Sequence, residues 1–138
     1  MSASPRYMLD TNIASFVIKN QPAVVKRILS VPPTSLCISP ITQAELLYGV
    51  AKKPEAVNLP VIVREFLARI DIPPWDANVA EAYAALRPQC ERAGKSLSAM
   101  DMLIAAHAMS LGTVLVTNDQ AFYHLGIDLM LEDWTIPK

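Results

Sequence analysis

The stretch Ser98-Ala-Met-Asp101-Met-Leu-Ile-Ala-Ala-His107-Ala-Met-Ser-Leu-Gly112-Thr-Val-Leu-Val116-Thr-Asn-Asp119 carries a helix start, an apolar helix, a helix stop, a buried strand and an acid at the strand's end. Ser98 is a good N-cap, and the run after it predicts a helix from Ala99 to about Ser110. Gly112 ends it, because glycine accepts the left-handed conformation that closes a helix. Thr113 to Val116 is apolar and β-branched, the signature of a strand covered on both faces. The same pattern in a looser form runs through the rest of the chain. Tyr7-Met-Leu9 reads as a buried strand ending at Asp10, with Thr11 and Asn12 as caps for a helix through Ile13, Phe16 and Val17. Pro22 suits the first turn of a second helix with Val24, Val25, Ile28 and Leu29 inward, and Pro32-Pro33 breaks it. Leu36 to Ile38 is a second strand, and Ser39-Pro40 opens a helix that carries Glu45 and stops near Gly49. A longer helix is expected over 55–69 and a short strand over Ile70 to Ile72. Asp76 caps a helix built on Val79, Ala82, Tyr83 and Leu86, which Pro88 should bend or break. Ile127 to Leu131 reads as an edge strand. Strands alternating with helices predict an α/β fold with a mostly parallel sheet covered on both faces.

In such sheets functional residues gather at the carboxyl ends of the strands. Asp10 and Asp119 each follow a predicted strand directly, while Glu45 and Asp101 sit in the early turns of helices. Each acid also has an ordinary reading. Asp10 serves as a cap or turn residue, and Asp119 as a turn residue. Glu45 follows Thr42 at capping-box spacing, and Asp101 follows Ser98 in the same way, where the helix dipole favours its anionic form. If the fold gathers the four, their mutual repulsion calls for a hard cation, Mg²⁺ or Mn²⁺, and phosphodiester hydrolysis is the chemistry most common to such sites. Spacing alone leaves other Mg²⁺ chemistry open. His107 lies six positions beyond Asp101, off its helical face, with no HExxH pattern, and is assigned no metal.

Composition sets the frame. With 138 residues, the chain is read as one domain over 1–138, long enough to bury a core. Hydrophobic residues make up 52% and charged ones only 18%, which fits buried strands and leaves apolar surface for a partner. No apolar run nears the roughly 18 residues of a membrane span, and MSASPRYMLD lacks the apolar stretch of a signal peptide, so a cytoplasmic location is expected. Cys37 and Cys90, the only cysteines, read as reduced buried thiols and not as a zinc site. The net charge of −1 comes from 12 basic and 13 acidic side chains, which is unlike a typical nucleic-acid binder. Setting the four candidate ligands aside leaves nine acids against those 12 bases, so a metal-loaded protein would present a mildly positive face.

The order of the segments adds specificity. Met8-Leu-Asp10-Thr-Asn12, Thr42-Gln-Ala-Glu45-Leu-Leu-Tyr-Gly49, Gly94-Lys-Ser-Leu-Ser-Ala-Met-Asp101-Met-Leu-Ile-Ala-Ala-His107-Ala, Val116-Thr117-Asn118-Asp119 and the closing Glu132-Asp-Trp134 together resemble a PIN-domain ribonuclease. More narrowly they resemble the VapC-type toxins of bacterial toxin–antitoxin pairs, from about Tyr7 to Trp134. Phe16-Val-Ile-Lys-Asn-Gln-Pro-Ala-Val, Asn58-Leu and Arg69-Ile-Asp71 look closest to members that cut initiator tRNA in its anticodon stem-loop. The resemblance implies a Rossmann-like α/β/α sandwich, usually a homodimer, with RNA endonuclease activity dependent on Mg²⁺ or Mn²⁺. It maps the family's acids onto Asp10, Glu45, Asp101 and Asp119, with Asp10 and Asp101 as the metal ligands, and its small polar positions onto Thr11, Asn12 and Thr117. It also implies a small antitoxin seated in an apolar groove, with Phe16, Tyr48 and Trp134 as possible contacts. Many relatives have Asn where this chain has Asp119, and Ile-Gly where it has Leu97-Ser98. Candidate RNA contacts are Lys19, Lys26, Arg27, Lys52, Lys53, Arg87, Arg92 and Lys95. A haloacid-dehalogenase-like phosphatase is a rival that needs an acid two positions after Asp10, where Asn12 stands. A degenerate module that only binds RNA or protein is another, opposed by the retention of all four acids.

Overall fold

The computed structural model describes residues 6–94 and 97–137; Lys95 lies outside them. Four short strands form one sheet: β1 (Tyr7–Leu9), β2 (Leu36–Cys37), β3 (Val114–Val116) and β4 (Leu131–Glu132). Their order is β2-β1-β3-β4, and every pairing is parallel. The strand expected over Ile70 to Ile72 is reduced to a single parallel bridge between Cys37 and Asp71. The helices are α1 (Thr11–Ile18), α2 (Pro22–Leu29), α3 (Pro40–Ala51), α4 (Leu59–Arg69), α5 (Ala77–Arg92), α6 (Ala99–Leu111) and the short α7 (Gln120–Tyr123).

Alternation along the strands divides the core into two layers. Met8, Cys37 and Leu115 pack on one face with Val79, Leu86 and Cys90 of α5 and with Met102, Ile104 and Ala105 of α6. Leu9, Leu36, Ile38 and Val116 pack on the other with Ile13 of α1, Val24 of α2, Leu46 of α3 and Val63 of α4. Helices therefore cover both faces, as an α/β/α sandwich requires. The apolar run of β3 is explained by this double burial.

Most helix ends obey local chemistry. Gln21, Ser39, Asp76 and Ser98 each accept a backbone N–H at the start of the following helix. Gly112 closes α6 with φ of 67°. Four expectations are corrected. Thr11 and Asn12 are not caps; Asp10 caps α1 itself through Oδ1 and the Ile13 N–H at 2.9 Å. Helix α3 runs through Gly49 to Ala51, with Lys52 as its C-cap. Helix α4 begins only at Leu59, with Pro60 in its first turn, where the missing N–H costs nothing. Pro88 does not break α5, because Leu86 and Cys90 on either side of it are both buried and hold the helix against the core.

Leu29, expected inside, is 80% exposed. It stands at the rim of an apolar groove described below. Trp134, offered as a partner contact, is fully buried. Its indole packs on Tyr7 with ring centroids 5.1 Å apart and donates to Glu132 Oε1 at 2.8 Å. The same oxygen accepts from Arg27 Nη2 at 3.1 Å, which takes Arg27 out of the set of free cations.

Candidate active site

Strands β1 and β3 run in parallel with Leu9 opposite Val116. The next residue of each strand therefore emerges at the same sheet edge. The Asp10 N–H donates to the Val116 carbonyl at 3.1 Å, which extends the ladder by one step and sets Asp10 beside Thr117. Thr117, fully buried, has its hydroxyl near the Asp10 carboxyl and also accepts the Asp119 N–H at 3.1 Å. Asp119 is the cap of α7, a role more ordered than the turn expected for it, and takes the Ala121 N–H at 3.0 Å. From the helix layers come Asp101, in the first turn of α6, and Glu45, midway along α3.

Charge links the four acids in pairs, Asp10 with Asp101 and Asp119, and Asp101 with Asp119 and Glu45. Asp10 is only 4% exposed, and its carboxyl is pushed up to about 6 from an ordinary 3.8. Burial is the largest cause; the Thr117 hydroxyl and Ile13 N–H act against it, and the charges of Asp101 and Asp119 add to it. The Asp101 carboxyl is also raised, first by burial and then by Asp119 and Glu45, against the opposing pull of Ser98. None of the four forms an ion pair with a base among the described residues.

The ordinary readings of these acids are partly true as well. Asp10 and Asp119 do cap helices, and the Ser98 hydroxyl accepts the Asp101 N–H at 3.0 Å. A carboxylate offers about four lone-pair sites, so a cap uses only part of its capacity. The capping-box reading of Glu45 fails, because Ser39 caps α3 and Thr42 lies within the helix. The Thr11 hydroxyl donates to the Glu45 carboxylate and lies 3.3 Å from the Thr42 hydroxyl, which can donate to it. Thr11 thereby ties Glu45 to the helix that follows Asp10. Asn12 is exposed, and among the described residues no side-chain hydrogen bond ties it to the four acids.

The donor set suits a hard cation: it is all carboxylate oxygen, partly buried and without a compensating base. Asn118 Oδ1, at the same strand end, is buried with no hydrogen-bond partner. Among the described residues, no three His, Cys, Asp or Glu side chains stand close enough to enclose an ion. Mg²⁺ keeps several of its waters, so one or two carboxylates can hold it without three enclosing it. Sequence reasoning missed Tyr123, whose hydroxyl donates to the Thr117 carbonyl at 2.9 Å and whose phenol is pushed up to about 12 by burial, with nearby acids including Asp10 adding to the shift. No motif marks it, because its role comes from the fold of α7 back over the strand end.

A model of the PIN domain matches residues 7–128. The chain belongs to the PIN-domain family. Within it, this PIN domain groups with the VapC proteins. It is 35% identical over 130 residues to the tRNA(fMet)-specific endonuclease VapC of Shigella flexneri, spanning 94% of this chain and 98% of that one. It is 34% identical over 130 residues to ribonuclease VapC2 of Rickettsia felis, across 93% of this chain and 97% of that one. Among solved structures it superposes on DNA-bound VapBC from Salmonella typhimurium with a TM-score of 0.84, at 34% identity, over 95% of this chain and 99% of that one.

The raised carboxyl of Asp10 has a consequence for stability. A folded-state pKa above the unfolded value favours folding while the group is protonated, and that contribution is lost as pH rises from about 4 to about 6. The loss is on the order of 2–3 kcal/mol. Asp10→Asn keeps an oxygen for the cap and removes the charge. Urea denaturation of metal-free protein should show the variant gaining on wild type across this range and more stable at pH 7. A difference that stays flat or shrinks with pH would contradict the buried, repelled carboxylate.

Proposed function

We propose that this PIN domain is a divalent-metal-dependent endoribonuclease, the toxin of a toxin–antitoxin pair, with Mg²⁺ or Mn²⁺ as its cofactor. The observation that carries the reading is the charge coupling of four unneutralised carboxylates, two following strand ends and two on helices α3 and α6. Asp10 and Asp101 would hold the cation, with Glu45 and Asp119 completing its shell directly or through water. When bound, such a cation supplies an activated water and offsets charge on the scissile phosphate. Thr117 and Thr11 orient carboxylates through the bonds described above. Asn12, exposed beside the site, is free to meet phosphate. Because water and not the ribose 2′-hydroxyl attacks, the products carry 5′-phosphate and 3′-hydroxyl ends.

Initiator tRNA, cut in its anticodon stem-loop, is the substrate we infer. The resemblance of the segments around Phe16, Asn58 and Arg69 supports it, as do relatives named for tRNA(fMet). An anticodon loop offers unpaired bases, the form in which proteins read RNA sequence. Lys19, Lys26, Lys52, Lys53 and Arg92 are exposed and available for phosphate. Arg87 is engaged with Tyr83 and Glu91 and Arg27 with Glu132, so these two are weaker candidates.

The antitoxin's seat is the groove between α1, α2 and α4, of about 650 Å³, lined by Val17, Ile28, Leu29, Phe66 and Ile70. Its apolar lining and the exposure of Leu29 fit an amphipathic segment laid into it. A solved structure that shares this fold, from Mycobacterium tuberculosis, is described as a member of the VapBC family of toxin–antitoxin systems. A homodimer in the cytoplasm completes the reading.

Two experiments test it. Purified protein with Mg²⁺ should cut initiator tRNA to leave 5′-phosphate ends, and Asp101→Asn should abolish cutting. A 2′,3′-cyclic phosphate end, or undiminished cutting by the variant, would overturn the mechanism. Leu29→Asp should lose stable association with the antitoxin encoded beside it while cutting RNA at the wild-type rate; retained association would place the antitoxin elsewhere.

A further inference from the structure

We infer that His107 is a positioning residue for the carboxylate site, acting through Ser39 to fix α3 and with it Glu45. The inference rests on the cation-site reading given above. His107 lies on α6, six residues beyond Asp101, and its side chain is fully buried. Its Nδ1 stands 2.9 Å from Ser39 Oγ, which is also fully buried. Ser39 is the cap of α3, and its Oγ accepts the Ile41 N–H at 3.2 Å. Ser39 Oγ and His107 Nδ1 share one hydrogen bond, in which the hydroxyl donates when the ring proton is on Nε2 and accepts when it is on Nδ1. Burial holds the imidazole's pKa below the usual range, outweighing the Pro74 carbonyl and Asp76, which pull it upward. The Pro74 carbonyl lies near the ring, yet Nε2 has no partner in hydrogen-bond geometry. The ring is thus held by one polar bond, and that bond joins two helices that each carry a candidate ligand.

A rigid helix transmits the position of its cap. Glu45 is six residues after Ser39, roughly 9 Å along the axis. At the other end of the link, Thr11 holds the Glu45 carboxylate to the helix that follows Asp10. Asp101, Glu45 and Asp10 are therefore joined through His107–Ser39 and Thr11–Glu45, with α3 as the strut between. Partners that hydrogen-bond a metal ligand directly typically change metal affinity by about 10–100-fold when removed, and this link, acting through one helix, is expected at the low end of that range.

Asparagine and glutamine separate positioning from filling. His107→Asn keeps a polar atom where Nδ1 stands, whereas His107→Gln is closer in bulk and places its amide near Nε2. Mn²⁺ titration by calorimetry, on variants whose folding is checked by circular dichroism, gives a readout independent of RNA cutting. His107→Gln and Ser39→Ala should each weaken Mn²⁺ binding about tenfold, the two together no further than either alone, and His107→Asn should stay near wild type. In a Glu45→Gln background, His107→Gln should have no added effect. Equal affinity in wild type and His107→Gln would overturn this inference alone. So would a loss that persists in full in the Glu45→Gln background, or a loss in His107→Asn as large as in His107→Gln. A wild-type protein that binds no Mn²⁺ would overturn the cation site and this inference with it.

Discussion

The bond from the Asp10 N–H to the Val116 carbonyl is the constraint from which the rest of the structure follows. It fixes the register in which β1 and β3 end, and so decides that Asp10 and Thr117 leave the sheet together. A slip of one residue would turn Asp10 to the opposite face and send the apolar side chains of β1 to the wrong layers. Both cores depend on the same register, since Met8 and Leu115 serve one layer while Leu9 and Val116 serve the other. The pairing that builds the hydrophobic core therefore also builds the site.

The gathering of acids works against folding. Burial and like charge both raise the Asp10 carboxyl, and the helix caps, Thr117 and the Ile13 N–H recover only part of the cost. A fold selected for stability alone would place a base or an apolar side chain there. The unneutralised charge is consistent with a site whose counter-charge arrives with its ligand. The surrounding hydrogen bonds fit that reading: Thr11 on Glu45, Thr117 beside Asp10 and Tyr123 on the Thr117 carbonyl each fix the position of a group without cancelling its charge.

Much of this was legible in the chain because it is written locally. Ser98, Asp76, Pro22 and Gly112 mark helix ends by their own chemistry, and the apolar runs at Tyr7 and Val114 announce buried strands. Asp10 was legible as an acid at a strand end. Its role as a cap was legible too, and the structure shows it capping α1, while Thr11 and Asn12, also read as caps, fall inside the helix. Other features depend on contacts between distant segments. Pro88 stays helical because its neighbours are anchored in the core, and Leu29 is exposed because a groove opens beside it. Trp134 is buried through Tyr7 and Glu132, near the opposite end of the chain in one case. The link from His107 to Ser39 joins residues 68 apart in the chain and has no sequence motif. The order of the acid-bearing segments brought family resemblance within reach, while the electrostatic coupling of the acids required three dimensions.

Helix α1 follows Asp10 at its start and lines the groove near its end, so one element touches both. This arrangement gives an occupant of the groove a short path to the carboxylates. The account as a whole turns on whether those carboxylates hold a cation. The most direct measurement is an anomalous difference map from crystals of this protein soaked in Mn²⁺. We expect a peak in contact with Asp10 and Asp101, with Glu45 and Asp119 beside it. Ordered Mn²⁺ elsewhere with none between Asp10 and Asp101 would contradict it.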